Sequence, residues 1–282
     1  PPPPPPPPNP PPPPTQRNTL TLHDALPIYP IKSLDPISCD SVKIHKSGAL
    51  KGDRTWAIVD QDDNFVNGKR NQKIHALRSE INLETNTLSL CVQGTNELGK
   101  FNLIDEQAAV YNWLGSYFEF PVKLKQNYDV GFPDDTVSPG ATIISTATLE
   151  KVASWYPKLD TEDIRRRFRA NIEISGVPAF WEDQLFTTAE QTVEFKIGDV
   201  EFSGVNPCQR CVVVTRDPQT GQTYPGFQKT FINQRKATLP KWTEGSRFNH
   251  FFRLAVNTKL SPTEAGKIIK VGDKITDYPD LR

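Results

Sequence analysis

The sequence is short of sulfur-containing residues. None of its 282 residues is methionine, and four are cysteine. Four cysteines in a chain of this length are too few for a disulfide framework, and Cys39 and Cys91 are solitary and far apart. We therefore expect a reducing compartment, which is the cytoplasm if the protein is bacterial. Because position 1 is not methionine, we also expect the natural start, with any targeting signal, to be missing.

The sequence also lacks a charge bias and a long apolar run. Lys plus Arg number 33, as do Asp plus Glu, so the overall charge does not predict nucleic acid as a partner. No stretch approaches the roughly 18 apolar residues that a membrane-spanning helix needs. The length of 282 residues is enough for a sizeable core, in one large domain or in two that pack closely. Any site for an anion must therefore be local.

Proline is the one residue in excess, and it is concentrated at the start. Thirteen of the 27 prolines lie in residues 1–14, a composition that favours polyproline II and cannot build a core. We interpret residues 1–22 as a disordered tail, residues 23–122 as a first β-rich domain and residues 123–282 as a second one.

Hydropathy patterns predict a chain in which strands predominate. Alternating apolar and polar residues predict hairpins in 80–92, about Gly198-Asp199 and about Gly272-Asp273. Helices are predicted over 105–118, from an N-cap at Thr146, and from Asp160 or Thr161. The run "CVVVT" at 211–215 predicts a strand. These elements indicate a mainly β protein with α (α+β), built as a mixed barrel or sandwich.

Cys208 and Cys211 form a Cys-x-x-Cys pair within "NPCQRCVVVTRDPQTG" (206–221). Structural zinc needs four ligands, and the four histidines are scattered along the chain. A thioredoxin-like dithiol lies at a helix N-terminus, whereas here a strand is predicted. Two interpretations stay open: buried small side chains without chemistry, or a thiolate, favoured by Arg210, that completes the shell of a metal carried inside a cofactor.

Lys32, Arg54 and Arg169 each stand beside a predicted strand edge or turn. Taken singly, each is explained by a solvated charge or an ordinary ion pair. A functional interpretation requires them to converge on a phosphate, for which Arg offers fork-like donors and Lys a point charge. For the run Arg165–Arg167 we predict an exposed helix face.

Four segments, in this order, resemble the MOSC proteins, named for the C-terminal domain of molybdenum cofactor sulfurase, and in particular the amidoxime-reducing component group with its bacterial relatives. The segments are "IYPIKS" (28–33), "KGDRTWAIVD" (51–60), "RFRANIEISGVPAFWED" (167–183) and "NPCQRCVVVTRDPQTG" (206–221). The resemblance implies a MOSC β-barrel packed with a MOSC N-terminal β-rich domain. It departs from the group at Pro27, where a strand residue is expected.

The resemblance also implies a cofactor and a reaction. The cofactor is the molybdenum cofactor, a pterin (molybdopterin) whose dithiolene binds molybdenum and whose phosphate anchors it. The reaction is the reduction of N-hydroxylated compounds, such as amidoximes and hydroxylamines, with electrons from separate ferredoxin, flavodoxin or cytochrome b5 type proteins. The alternative is a non-catalytic module that carries the cofactor or sulfur to another enzyme. The family is also associated with pyridoxal phosphate binding.

Residue by residue, the resemblance assigns Cys211 as molybdenum ligand and catalytic residue, and gives Cys208 no ligand role. The cofactor-binding residues that it implies are Lys32, Ser33, Arg54, Ser145, Thr146, Arg169 and Asn171.

Overall fold

A computed structural model gives the fold of residues 21–22 and 25–278. The tail predicted for residues 1–22 lies outside these described residues, apart from its last two. Thr21 and Leu22 form a short strand, and the Leu22 side chain is buried in the core. At these two positions the predicted tail is wrong.

Strands outnumber helices among the described residues, which confirms the predicted α+β class with mainly β content. The strands are β1 (Thr21–Leu22), β2 (Leu26–Ile28), β3 (Ile37–Cys39), β4 (Ser41–Lys43), β5 (Trp56–Val59), β6 (Leu77–Asn82), β7 (Thr87–Val92), β8 (Leu98–Asn102), β9 (Lys123–Gln126), β10 (Ile143–Ser145), β11 (Ile172–Ser175), β12 (Val193–Ile197), β13 (Val200–Gln209), β14 (Arg253–Lys259), β15 (Ile268–Lys270) and β16 (Ile275–Thr276). The α-helices are α1 (Gln107–Phe118), α2 (Thr146–Ala153), α3 (Thr161–Phe168) and α4 (Phe227–Ala237).

A curled seven-stranded sheet forms a half-barrel in the order β1-β11-β10-β14-β13-β12-β16. Its neighbouring strands are antiparallel except β10 and β11, which are parallel. A parallel pair needs a crossover connection, and here α2 and α3 provide it. The apolar positions that alternate along β12 and β13 pair Phe195 with Phe202 and Ile197 with Val200, and all four side chains are buried. This alternation places the core on one face of the sheet.

The first part of the chain forms smaller sheets around a second core. They are β6-β7-β8 and the pair β5-β9, whereas Leu26 and Ile28 of the β2-β3 pair pack into the core of the half-barrel. Helix α1 covers this core with Val110, Leu114 and Phe118, which are spaced four residues apart and therefore share one helix face. Two pairings join the parts, β1 with β11 and β4 with β15.

Several local predictions are confirmed. The hairpin in 80–92 is β6-β7, and the hairpin about Gly198-Asp199 is β12-β13. The helix predicted over 105–118 is α1, which begins two residues later. Helix α3 begins after Asp160, whose side chain accepts a hydrogen bond from the Asp163 N–H in a capping box.

Four other local predictions are corrected. The N-cap of α2 is Ser145 and not Thr146, because the extended Ser145 accepts a hydrogen bond from the Thr148 N–H. The predicted hairpin about Gly272-Asp273 is absent from the described residues, because β15 pairs with β4 and β16 with β12. Two further corrections concern the run at 211–215 and the run Arg165–Arg167.

The valines after Cys211 form a short 3-10 helix, Val212–Thr215, and not a strand. Strand β13 ends at Gln209, and the Thr215 hydroxyl donates to the Val212 carbonyl, which closes the turn. The run Arg165–Arg167 is not wholly an exposed face, because Arg167 is buried and donates to the Val214 and Arg216 carbonyls.

Candidate functional site

Two of the motif segments lie side by side and bring their cations together. The Arg54 N–H donates to the Tyr29 carbonyl, and the Lys32 N–H donates to the Trp56 carbonyl, both at 2.7 Å. Ser33 follows Lys32 with a φ of 73°, and Arg54 has a φ of 48°, so the chain bends sharply at both positions. Backbone pairing therefore fixes Lys32 and Arg54 as neighbours.

The Tyr29 ring holds two guanidinium groups from distant parts of the chain. The Arg169 Cζ lies 3.9 Å from the ring centroid and the Arg54 Cζ lies 5.5 Å from it. Arg169 ends α3 in the left-handed conformation, with a φ of 51°, and this conformation terminates the helix where its side chain meets Tyr29. Cation–π attraction of this kind keeps two like charges close together.

The Asp53 carboxylate holds Tyr29 and Arg54 in this arrangement. One of its carboxylate oxygens accepts the Tyr29 N–H at 2.7 Å and the Asn171 Nδ2 at 3.2 Å. Its other oxygen forms an ion pair with Arg54. Asn171 Nδ2 also donates to the Pro27 carbonyl at 3.2 Å. Pro27 is tolerated within β2 because that strand pairs on one side only, with β3.

Lys32 completes the cluster from a nearly buried position, with 9% of its side chain exposed. Its Nζ donates to the Phe132 carbonyl at 2.9 Å and to Asp134 Oδ1 at 2.5 Å. Both acceptors belong to residues 127–140, which we call the acidic loop. The Phe65 ring centroid lies 5.5 Å from the same ammonium group.

Three cations act on the Asp134 carboxylate. Loss of solvent around it raises its pKa, but the charges of Lys32, Arg54 and Arg169 outweigh that effect and lower it. Most of the Asp134 side-chain surface faces water, so the carboxylate lies on the solvent side of the cluster. Lys32, Arg54 and Arg169 thus converge, as the functional interpretation of these positions requires.

Cys211 is exposed and Cys208 is partly buried. Cys211 therefore does not fit the interpretation of an inert buried pair. The guanidinium of Arg210 donates to the Leu254 carbonyl and, at 3.0 Å, to the Phe168 carbonyl, immediately before Arg169. The charge of Arg210 also counteracts the rise in the pKa of Tyr29 that burial causes. The exposed thiol is thus one residue away from a side chain that reaches the cation cluster.

The segment after Cys211 is held by the first part of the chain. Gln72 Nε2 donates to the Gly221 carbonyl at 3.0 Å, and Arg78 Nη2 donates to the Pro218 carbonyl at 3.3 Å. In return, Arg216 Nη1 donates to the Gly68 carbonyl at 2.5 Å. The position of Cys211 therefore depends on both halves of the molecule.

Two predicted site residues are used elsewhere. The Ser145 hydroxyl is fully buried, caps α2 and donates to Thr148 Oγ1 at 2.8 Å. The Thr146 hydroxyl donates to Glu173 Oε1 at 2.8 Å. The contacts described for these two hydroxyls do not include any of the three cations.

The acidic loop supplies a polar atom that motif reasoning missed. Ser138 is buried, and its hydroxyl has no hydrogen-bond partner among the described residues. A buried hydroxyl without a partner is costly, so this hydroxyl is available to a ligand that offers an acceptor. The donors of the cation cluster, one ammonium and two guanidiniums, fit a phosphate group.

The residues that sequence reasoning missed are of two kinds. Tyr29 and Asp53 lie inside the recognised segments "IYPIKS" and "KGDRTWAIVD", so their order along the chain could have indicated them. Asp134 and Ser138 lie in the loop "FPDDTVSPG", where neither periodicity nor a motif indicates a function.

The described residues contain no group of three or more His, Cys, Asp or Glu that could hold a metal ion. Within the same part of the chain, every helix is too short or too polar to cross a membrane.

Two kinds of protein are among those similar to this chain. The rat mitochondrial amidoxime reducing component 2 is 29% identical over 238 residues, which cover 69% of this chain and 66% of the rat protein, slightly less than two thirds of its length. The human mitochondrial amidoxime-reducing component 1 is 26% identical, over 88% of this chain and 80% of the human protein. The Caenorhabditis elegans molybdenum cofactor sulfurase is 32% identical, over 78% of this chain and 33% of that protein.

Two family models match consecutive parts of the sequence. The MOSC N-terminal beta barrel domain matches residues 22–119, which contain Tyr29, Lys32 and Arg54. The MOSC domain matches residues 140–276, which contain Arg169 and Cys211. Since the two models follow each other and together match most of the chain, this chain belongs to the MOSC proteins.

Proposed function

We propose that the protein binds the molybdenum cofactor and reduces N-hydroxylated compounds. Lys32, Ser33, Arg54 and Arg169 hold the phosphate end of the cofactor in this proposal. Cys211 provides the thiolate that ligates molybdenum. Asn171 acts indirectly, because its amide donates to Asp53 and so orients the partner of Arg54.

The observation that carries this proposal is the convergence of cations from both domains. Lys32 and Arg54 come from the region of the MOSC N-terminal domain and Arg169 from the MOSC domain, and all three lower the pKa of the same carboxyl group, that of Asp134. Three cations near one point are unfavourable unless anions neutralise them. The exposed Cys211 thiol is accessible as the metal ligand that this proposal requires.

When bound, the cofactor supplies two-electron redox chemistry at molybdenum. Overall, an N–OH group takes up two electrons and two protons, and an N–H group and water are released. Separate electron-transfer proteins of the ferredoxin, flavodoxin or cytochrome b5 type supply the electrons. This chain anchors the phosphate, presents the thiol at the surface where substrate can enter, and fixes the turn that bears it through Arg216 and Gln72.

The second candidate function is a carrier of the cofactor or of sulfur. The similarity to molybdenum cofactor sulfurase favours it, and an exposed thiol can hold a persulfide as well as a metal. Pyridoxal phosphate is not part of either proposal.

The test of the proposal is the molybdenum and pterin content of the protein purified from cells that make the cofactor. We expect near-stoichiometric molybdenum in the wild type and much less in Arg169→Ala, which lacks one anchor. A matched control is Arg70→Ala, since Arg70 is exposed and stands outside the cluster. Wild-type protein without molybdenum or pterin would contradict cofactor binding.

Turnover of a model amidoxime separates the enzyme from the carrier. With an artificial one-electron reductant, we expect the loaded wild type and Cys91→Ala to reduce benzamidoxime, and Cys211→Ala to lose the activity. Cys91 is a matched control because it is a free thiol within β7. A loaded wild type that does not turn over would favour the carrier, and an active Cys211→Ala variant would remove Cys211 as an essential ligand.

A further inference from the structure

We propose that Asp134 is a built-in competitor of the anion site, and that its side chain must swing out before a phosphate group can occupy the cation cluster. This inference rests on the proposed function, in so far as the cluster is taken to bind a phosphate. It goes beyond it by giving a residue of the acidic loop a role in setting how tightly an anion binds.

The position of the carboxylate supports this role. Asp134 Oδ1 lies 2.5 Å from Lys32 Nζ, on the solvent side of a lysine that is 9% exposed. The Asp134 side chain itself is 82% exposed. An incoming phosphate oxygen would approach the ammonium from the same open side, and carboxylate and phosphate oxygens are equivalent acceptors for it. The carboxylate therefore stands where the ligand must arrive.

The charge balance of the cluster points the same way. Arg54 already has Asp53 as a partner. Two carboxylates act on Arg169, that of Asp53 and that of Asp35, which is itself paired with Arg78 at 2.9 Å. Asp134 is thus the anion that offsets the remaining positive charge, that of Lys32. Unless it is displaced, it repels an arriving phosphate dianion.

The acidic loop is anchored on both sides of Asp134, so that the side chain can move while the backbone stays. Before it, the Phe132 N–H donates to the Arg54 carbonyl at 2.8 Å. After it, Asp135 accepts the Ser138 N–H at 3.1 Å and the Asn257 Nδ2 at 3.2 Å. The one hydrogen bond described for the Asp134 side chain is the one with Lys32. Rotation about the side-chain bonds therefore breaks a single ion pair and leaves the loop in place.

Inorganic phosphate is the probe for this competitor. We would measure phosphate binding to the cofactor-free full-length protein by calorimetry, for the wild type, Asp134→Asn and Asp129→Asn. Asp129 is the matched control, because it is an exposed aspartate of the same loop that forms no ion pair among the described residues. We expect Asp134→Asn to bind phosphate about tenfold more tightly, the effect of one fewer negative charge at the site, and Asp129→Asn to match the wild type.

Two results would overturn the inference. One is phosphate affinity in Asp134→Asn that equals or falls below that of the wild type, since Asp134 would then support Lys32 and not compete with the ligand. The other is an equal gain in Asp129→Asn, which would indicate a general charge effect. Asp134→Ser repeats the test with a shorter side chain, and a melting curve for each variant checks that it is folded.

The outcomes remain distinguishable from those of the proposed function. Tighter phosphate binding in Asp134→Asn by a protein that purifies without molybdenum would support the competitor and refute the cofactor. Normal molybdenum content without a gain in phosphate affinity would refute the competitor alone.

Discussion

Glu182 is a buried carboxyl group. It is almost completely buried, its Oε2 accepts the Thr148 hydroxyl at 3.0 Å, and its Oε1 has no partner among the described residues. Burial, and then the charge of the adjacent Asp183, raise its pKa from 4.5 to about 7. The folded protein therefore keeps a proton on Glu182 at a pH where the unfolded chain has lost it.

This difference predicts a pH-dependent loss of stability that Glu182→Gln abolishes. Because the folded-state pKa is raised, protonated Glu182 makes its full contribution to the free energy of unfolding below pH 4.5. That contribution is lost as the pH rises towards 7. A shift of this size corresponds to about 3 kcal/mol of unfolding free energy across that window. Urea unfolding at several pH values measures this effect. We expect the free energies of unfolding of the wild type and of Glu182→Gln to differ by an amount that changes progressively up to pH 7.

The matched control for Glu182 is Glu190→Gln, which removes an exposed carboxylate nearby in sequence. We expect its free energy of unfolding to follow the wild type at every pH. A constant difference between Glu182→Gln and the wild type from pH 4.5 to 8 would show that Glu182 titrates as an ordinary glutamate, and the prediction would fail.

Single residues of the site could be predicted from the sequence to the extent that they lie in motifs. Lys32, Arg54 and Arg169 stand in recognised segments, and the structure brings them together. Asp134 could not be found in this way, because its role depends on where the acidic loop folds and not on its neighbours in sequence. The resemblance implies a cofactor contact for Ser145, but its hydroxyl caps the helix that follows.

At the scale of elements, β13 depends on a position without a side chain. A Cβ added to Gly204 would lie 1.7 Å from the Leu185 carbonyl oxygen. Leu185 directly follows a buried 3-10 helix, Trp181–Gln184, which packs against the sheet at this point. The pairing of β13 with β14 is also irregular between Gly204 and Asn206. The strand can therefore pass the helix only where it has no Cβ.

We predict that Gly204→Ala destabilises the protein by about 2–4 kcal/mol, since the clash is with backbone that cannot rotate away. Gly245→Ala is the control, because a Cβ there would meet no atom within 4 Å. Thermal unfolding should give a clearly lowered Tm for the first variant and a wild-type Tm for the second. Equal melting temperatures would mean that the helix shifts freely and that Gly204 is not required.

The elements that were predicted well are those whose pattern is local. The β6-β7 and β12-β13 hairpins follow from alternation and a turn, and both are present. The structure of the run after Cys211 does not follow from its local pattern. Three β-branched residues favour a strand there, but the chain must turn to reach the first half of the molecule. The turn at Gly272-Asp273 predicts that β15 and β16 pair with each other, yet each pairs with a strand far away in the sequence.

At the scale of the whole molecule, the two MOSC domains share the core of the half-barrel. The cluster inside the half-barrel includes side chains of the second half, such as Ile143 and Phe202. It also includes side chains that precede the predicted domain boundary at 122–123, among them Leu26, Ile28, Val42, Ile44 and Leu50. The β1-β11 and β4-β15 pairings cross the same boundary. Sequence similarity delimits two domains, but the apolar packing does not separate them.

We therefore predict that residues 123–282 expressed alone do not fold cooperatively. Five buried aliphatic side chains contribute on the order of 10 kcal/mol, as much as the total stability of a typical domain. The fragment should bind the dye ANS and lack near-ultraviolet circular dichroism, and co-expression with residues 1–122 should restore both the native spectrum and phosphate binding by the cation cluster. The control is the full-length chain with a protease site inserted at Asn96, an exposed position in the turn between β7 and β8, which should remain folded after cleavage. A monomeric, cooperatively melting 123–282 fragment would mean that the barrel closes its core without the N-terminal strands, and that the shared cluster adds little to its stability.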